Sequence, residues 1–475
     1  MTRRRYSWCT AGALAVVASL AVGLPGPVGL ATTGRSGIAQ SAEASAILPR
    51  VQPAAGTPNF PLGTRQTEQI RQLVQCGRIM FAVGSFSTVE QGGHTYIRHN
   101  AFSFRATAPF TVTSWNPNVS GRVDSIAFHS GNCADAYIGG NFTRVRGRRA
   151  ARIAEVRTTT PGSLVQNFRH SANKEVETLA SYQNHILTGG YFTRINGSTA
   201  DPYMTSLNPV TGRDDGFLRL RIHGHFTYQG VVKNNTRVYN QQISHRGGRE
   251  LVEGDFTSVA GKRRQQVFML NLASRPRATL TSWTSPRFDG SRGYPPKGYF
   301  YNCSDREPFY IKGAAWSPND RTVYLASTGF RPWNRTTGFP LRGLCDAASA
   351  FSAGPTATFK WVDYTGCYSL YSAAGTSGGA FFGGHQRFAQ NPNGCKFGGP
   401  GALSAPGLDA LSPSTGRLLV NSQGTSIYTR DRGLGADDML VTKAGLWIAS
   451  DNFANSQMCD GMLGLSGICF LPFGP

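Results

Sequence analysis

A short apolar strand that ends in two small residues, with a phenylalanine soon after, recurs along most of this 475-residue chain. It reads Met80-Phe81-Ala82-Val83-Gly84-Ser85-Phe86, then Tyr137-Ile138-Gly139-Gly140-Asn141-Phe142. The next copies are Leu187-Thr188-Gly189-Gly190-Tyr191-Phe192 and Leu251-Val252-Glu253-Gly254-Asp255-Phe256. Three looser copies end at Ser327 with Phe330, at Gly384 with Phe388, and at Ser450 with Phe453. From Gly84 to Ser450 the intervals are 56, 50, 64, 73, 57 and 66 residues, a mean of 61. Internal periodicity of this kind constrains a fold more than any local motif does.

About sixty residues suits four short strands and their loops, the content of one blade of a β-propeller. In the second copy the strands are expected at 124–128, 136–140, 152–156 and 164–168; in the third at 176–180, 186–190, 203–207 and 216–220. Turn sequences such as Pro209-Val210-Thr211-Gly212 link them. No window carries a sustained helical period between caps. The fold expected is therefore all-β, a seven-bladed propeller of four-stranded blades over residues 67–475. Where sheets converge, a strand residue meets a neighbouring backbone at close range, which explains the small pair. The following Phe supplies bulk between sheets. The last copy lacks an outer strand, so residues 47–66 are expected to form an arm that closes the ring and leaves no free edge.

The best copies, Phe142-Thr143-Arg144-Val145-Arg146-Gly147 and Phe256-Thr257-Ser258-Val259-Ala260-Gly261, resemble the delta-60 repeat β-propeller proteins exported by bacteria. The resemblance is strong in the first four copies and looser afterwards. It implies the fold and export, and it carries no catalytic residue with it.

Export is also read from the N-terminus. Arg3, Arg4 and Arg5 precede an apolar run from Ala11 to Leu24, the layout of a signal peptide. Residues 1–46 are read as that segment, with small-residue cleavage positions at Ala42 to Ala46. No later apolar run is long enough for a membrane-spanning helix, so the mature protein is expected to be secreted. The whole chain has 48 basic and 26 acidic residues, a formal charge of +22. Without residues 1–46 it is +19, and only eight of the basic residues are lysine. Arginine favours bidentate contact with carboxylates and phosphates, so the composition points to an anionic partner. Nucleic acid is disfavoured, because no clustered base-stacking motif accompanies the charge.

By resemblance to propellers, the loops between second and third strands and between successive blades share one face, the usual ligand face. That placement implies the disulfides Cys76–Cys133, Cys303–Cys345, Cys367–Cys395 and Cys459–Cys469; cysteine pairing suits an exported chain. None of these cysteines has metal-site spacing, and neither a metal nor another cofactor is expected. Arg144, Arg146, Arg148, Arg149 and Arg152, with Lys262, Arg263 and Arg264 in the matching loop two copies later, fall on the ligand face. Such a run is as readily a solvated hairpin tip as a binding patch. Trp333 and Arg335 suggest a sugar-stacking platform, though Trp beside Pro also packs loops. His385 and Arg387 break the repeat at a strand mouth, where a histidine is more often a structural hydrogen-bonder than a base. Asp437, Asp438 and Asp451 could split their pKa values for acid–base work, but adjacent aspartates usually diverge. The chain has none of the linear catalytic motifs HExxH, GxSxG or the phosphate-binding loop. The function expected is non-catalytic binding or scaffolding, for a polysaccharide or an anionic cell-envelope polymer. The alternative is a propeller enzyme, a glycan hydrolase, lyase or lactonase, with its site at the channel mouth.

Overall fold

A computed structural model describes residues 48–61, 68–159, 161–225, 235–288, 303, 309–329, 343–428, 435–451 and 467–474. The expected signal peptide, Phe330 and Phe453 lie outside them. Among the described residues the secondary structure is β, apart from a 3₁₀ turn at Pro286–Phe288. No helix there is long and apolar enough to cross a membrane.

Among the described residues seven antiparallel sheets of three or four strands follow one another along the chain, beside four two-stranded hairpins. Their first strands are Gln69–Cys76, Val123–Ala127, Val176–Tyr182, Arg237–Ile243, Ile311–Trp316, Leu370–Gly375 and Ala436–Thr442. Each pairs with a second strand that carries the small-residue doublet, and that strand pairs with a third. First strands pack against one another in order, sheet 1 on 2 through to 6 on 7, and the first strand of sheet 7 packs on that of sheet 1. The core is distributed accordingly. Buried apolar side chains form a cluster at every junction of consecutive sheets, and Leu73, Met80 and Phe104 of sheet 1 share one with Trp447 and Phe470 of sheet 7. There Trp447 stacks on Phe470 at 4.1 Å between centroids.

The doublet sits where close approach demands it. A Cβ on Gly140 would lie 2.1 Å from the Arg122 carbonyl oxygen in the same sheet. One on Gly139 would lie 2.8 Å from Val176 Cγ1 in the next. Phe86, Phe142, Phe192 and Phe256 are buried, and Phe388 is half-buried.

The expected four-stranded blades need correction. Among the described residues only sheets 4 and 5 have a fourth strand, Thr279–Leu280 and Phe359–Tyr364. The segment expected at 164–168 makes a single bridge, Leu164 with Val156, and that expected at 216–220 makes none, the bridge to Leu207 falling on Asp214 before it. In sheet 3 the reason is visible. Leu218 N donates to Ser206 Oγ, Phe217 N to Asp215 Oδ1 and Leu220 N to Asp201 Oδ1. Side-chain acceptors there satisfy amides that a ladder would otherwise use.

Residues 50–59 run beside the third strand of sheet 7, Ile468–Pro472, without forming a regular strand. Arg50 N donates to Pro472 O and Ala54 N to Phe470 O, both at 2.8 Å, and Thr57 Oγ1 donates to Ile468 O at 2.9 Å. Asn59 bridges both Gly467 and Glu90. Cys76–Cys133, Cys303–Cys345 and Cys367–Cys395 are disulfides. Cys469 is buried, and its expected partner Cys459 lies outside the described residues.

Candidate functional site: a polar cavity at the first strands

Every first strand is interrupted by a β-bulge at the same point. The register shifts after Ile70, Val123, Val176, Val238, Ile311, Leu370 and Ala436, all of them buried apolar residues. A bulge inserts one unpaired residue and re-aims its side chain. The seven inserted residues are Arg71, Asp124, Glu177, Tyr239, Lys312, Tyr371 and Asp437, and all seven line one cavity of about 130 Å³.

In sheets 1, 2, 6 and 7 the residue after the bulge ties neighbouring sheets together. Gln72 Oε1 accepts from Ser125 Oγ at 2.9 Å and from Ile126 N at 2.7 Å. Ser125 Oγ in turn accepts from Leu179 N at 2.9 Å. Ser372 Oγ donates to Ala436 O at 2.6 Å, and Asp438 Oδ2 accepts from Leu73 N at 2.9 Å. Asp438 thus holds the seam between the last sheet and the first. Burial raises it to about 6.

Charges of both signs face the cavity. Asp124 pairs with Arg122 at 2.7 Å, and Arg122 also pairs with Glu175. Glu177 pairs with Arg237 at 3.2 Å. Arg237 lies over the rings of Tyr191, Tyr239 and Tyr310, and Lys312 Nζ sits 4.6 Å from the Tyr239 centroid. Burial raises the carboxyl of Glu177 against the opposing pull of Arg237. It raises Asp437 to about 7, with Asp451 adding to the rise and Arg71, Lys312 and His385 opposing it. Lys312 falls to about 8, through burial first and then the positive charge of Arg237.

Next to Asp437 stands a histidine–carboxylate pair. His385 Nε2 is 3.5 Å from Asp451 Oδ2, and His385 Nδ1 is 3.4 Å from the Tyr371 hydroxyl. Gly435 N donates to Asp451 Oδ1 at 3.2 Å. His385, Asp437 and Asp451, which are far apart in sequence, therefore meet around Tyr371. Arg387 is half-buried with its guanidinium 5.1 Å from the Tyr368 ring. Trp333 and Arg335 lie outside the described residues. No group of three or more histidine, cysteine or acidic side chains among the described residues could hold a metal ion.

The basic residues lie on hairpins between second and third strands. Arg144–Val145 pairs with Arg148–Arg149, and Ser258–Val259 with Lys262–Arg263. Arg144, Arg146, Arg148 and Arg149 are exposed. Arg144 donates to Gly147 O at 2.8 Å, and Arg146 to Asn116 O at 3.1 Å and Pro161 O at 3.3 Å. Exposed Arg194 occupies the corresponding loop of sheet 3. Ala151 bridges Ser171 and Ala172 bridges Ile195, so the loops of sheets 2 and 3 are adjacent.

Sequence reading missed the bulge ring and Arg194. The ring had a signal: an apolar residue, a variable one, then a small or polar one, lying 13 to 16 residues before the end of each doublet.

No protein-family model matches the chain, and no curated protein is similar to it. Solved β-propellers are similar at low identity. The WD40 β-propeller domain of Doa1 shares 9% identity with a TM-score of 0.40, over 88% of this chain and 96% of that one. The WD40 repeats of RRP9 share 9% with a TM-score of 0.42, over 89% and 98%. Sqt1 of Saccharomyces cerevisiae shares 7% with a TM-score of 0.48, over 88% and 100%.

Proposed function

We propose that the protein is an exported, closed seven-bladed β-propeller that binds an anionic cell-envelope polymer, such as an acidic polysaccharide, without chemical turnover. The packing of sheet 7 on sheet 1, the Asp438–Leu73 bond and the arm along Ile468–Pro472 support closure. Disulfides support an oxidising compartment.

The observation that carries the binding reading is a strip of exposed basic side chains on matching loops of sheets 2, 3 and 4. Arg148, Arg149, Arg194 and Lys262 present their charge to solvent, and residues 143–152, 193–199 and 257–266 contain no acidic residue. Such a strip attracts polyanions at long range and loses its hold as salt shortens the screening length. Arg146 is occupied by backbone carbonyls, which leaves Arg148, Arg149 and Lys262 as the better residues to change. The purified mature chain should be retained on immobilised polygalacturonate and released by rising salt. Arg148→Glu, Arg149→Glu and Lys262→Glu together should cut retention at least tenfold. Unchanged retention, or equal retention on a neutral glycan, contradicts the reading.

The meeting of His385, Asp451 and Tyr371 beside the cavity favours a second reading, a propeller hydrolase, lyase or lactonase. Asp451 and His385 would then act together as an acid–base pair. Turnover of a glycan or lactone that Asp451→Asn abolishes would establish it.

A further inference from the structure

The cavity is lined by side chains of both signs. Around it and its rim stand four cations, Arg71, Arg122, Arg237 and Lys312, and five carboxyl groups, Asp124, Glu175, Glu177, Asp437 and Asp438, the last taken up by the Leu73 amide. The pairing is incomplete. Among the described residues no carboxylate lies within ion-pair distance of Arg71 or Lys312, and no cation lies within that distance of Asp437. Arg71 Nε, Asp124 Oδ2, Glu177 Oε2 and Asp437 Oδ2 are buried atoms without a hydrogen-bond partner. The Asp124 side chain is only 8% exposed. Buried polar atoms are paired as a rule, and several exceptions of both signs at one cavity call for an occupant.

A simple anion would satisfy Arg71 and Lys312 but leave the carboxylate atoms of Asp124, Glu177 and Asp437 open. A simple cation would do the reverse. We propose that the cavity binds one small zwitterion, a free α-amino acid, with its carboxylate between Arg71 and Lys312 and its ammonium against Asp437 and Glu177. Tyr239 and Tyr371 form aromatic walls beside these groups, and aromatic faces attract an ammonium. The cavity of about 130 Å³ falls below the roughly 300–1,000 Å³ of sites for drug-sized ligands, which suits a molecule of this size and excludes a polymer segment. The site is independent of the basic strip and does not rest on the polymer-binding reading.

The test is calorimetric titration of the mature chain with each of the standard amino acids, followed by capped forms of the best binder. Binding of at least one at one-to-one stoichiometry is expected, with a loss of tenfold or more when the amine is acetylated and again when the carboxyl is amidated. Lys312→Met and Asp437→Asn should each weaken binding at least tenfold with unfolding temperatures close to that of the parent, and Arg148→Glu with Arg149→Glu should leave it unchanged. No binding at millimolar concentration overturns the proposal. So does capped ligand binding as well as free, or a small sugar acid such as glucuronate binding more tightly than any amino acid. The capping comparison needs no variant, so it decides the matter even if a substitution impairs folding.

Discussion

Asp438 and Leu73, 365 residues apart, are joined by a hydrogen bond of 2.9 Å from the Leu73 amide to the Asp438 carboxylate. The bond spans the junction of the seventh and first sheets and continues the belt made elsewhere by Gln72, Ser125 and Ser372. Loss of a buried acceptor strands its donor, at a cost of about 1–3 kcal/mol. Asp438→Ala should therefore lower stability by about that amount in urea denaturation, and Asp438→Asn, which keeps an acceptor, by less. Equal effects would remove Asp438 from the seam.

Gly190 tests the doublet. A Cβ there would lie 2.2 Å from the Glu175 carbonyl oxygen and 2.9 Å from Val176 Cα, both backbone atoms. Gly190→Ala should destabilise by about 1–3 kcal/mol through overpacking. Gly147 has φ +75 and open space around it, so Gly147→Asn, a residue that tolerates that conformation, should change stability little. Thermal unfolding of both variants checks the contrast.

Glu253 replaces the first glycine of the fourth doublet, and burial raises its carboxyl to about 8. The folded chain then holds a proton that the unfolded chain releases near 4.5. Its contribution to stability is full below that lower value and is lost as pH rises through about 8. Glu253→Gln should accordingly lose less stability between pH 5 and pH 9 than the parent does. Identical pH dependence in denaturation curves would contradict this.

Cys76–Cys133 links the turns after the first strands of sheets 1 and 2, closing a separation of 57 residues. Replacing both by serine should cost about 2–4 kcal/mol and lower the unfolding temperature, without altering the far-ultraviolet spectrum. An unchanged unfolding temperature would show that the bridge adds nothing.

Much of the fold was legible because one structural unit repeats. The doublet phases each copy, so the first three strands of sheets 2 and 3 fall within two residues of their expected ends, and Cys76 falls opposite Cys133. The loss of the fourth strand in sheet 3 was not legible, because Ser206, Asp201 and Asp215 satisfy through their side chains the amides of Leu218, Leu220 and Phe217. The cavity was hidden for another reason. A bulge breaks the alternation from which strands are read, and its inserted residue changes from Arg71 to Asp124 to Tyr239. Only the flanking residues, apolar before it and small or polar after it, as Val123 and Ser125 are, mark the place. His385, Asp437 and Asp451 were singled out by their chemistry alone, and the sequence did not indicate that Tyr371 stands between them.

Seven first strands surround one polar cavity, and a crystal structure of the mature chain would check this arrangement. Arg71, Asp124, Glu177, Tyr239, Lys312, Tyr371 and Asp437 are expected on a common wall, with the Asp438 carboxylate on the Leu73 amide. Sheets 1 and 7 standing apart, or these seven side chains divided between separate packing units, would contradict it.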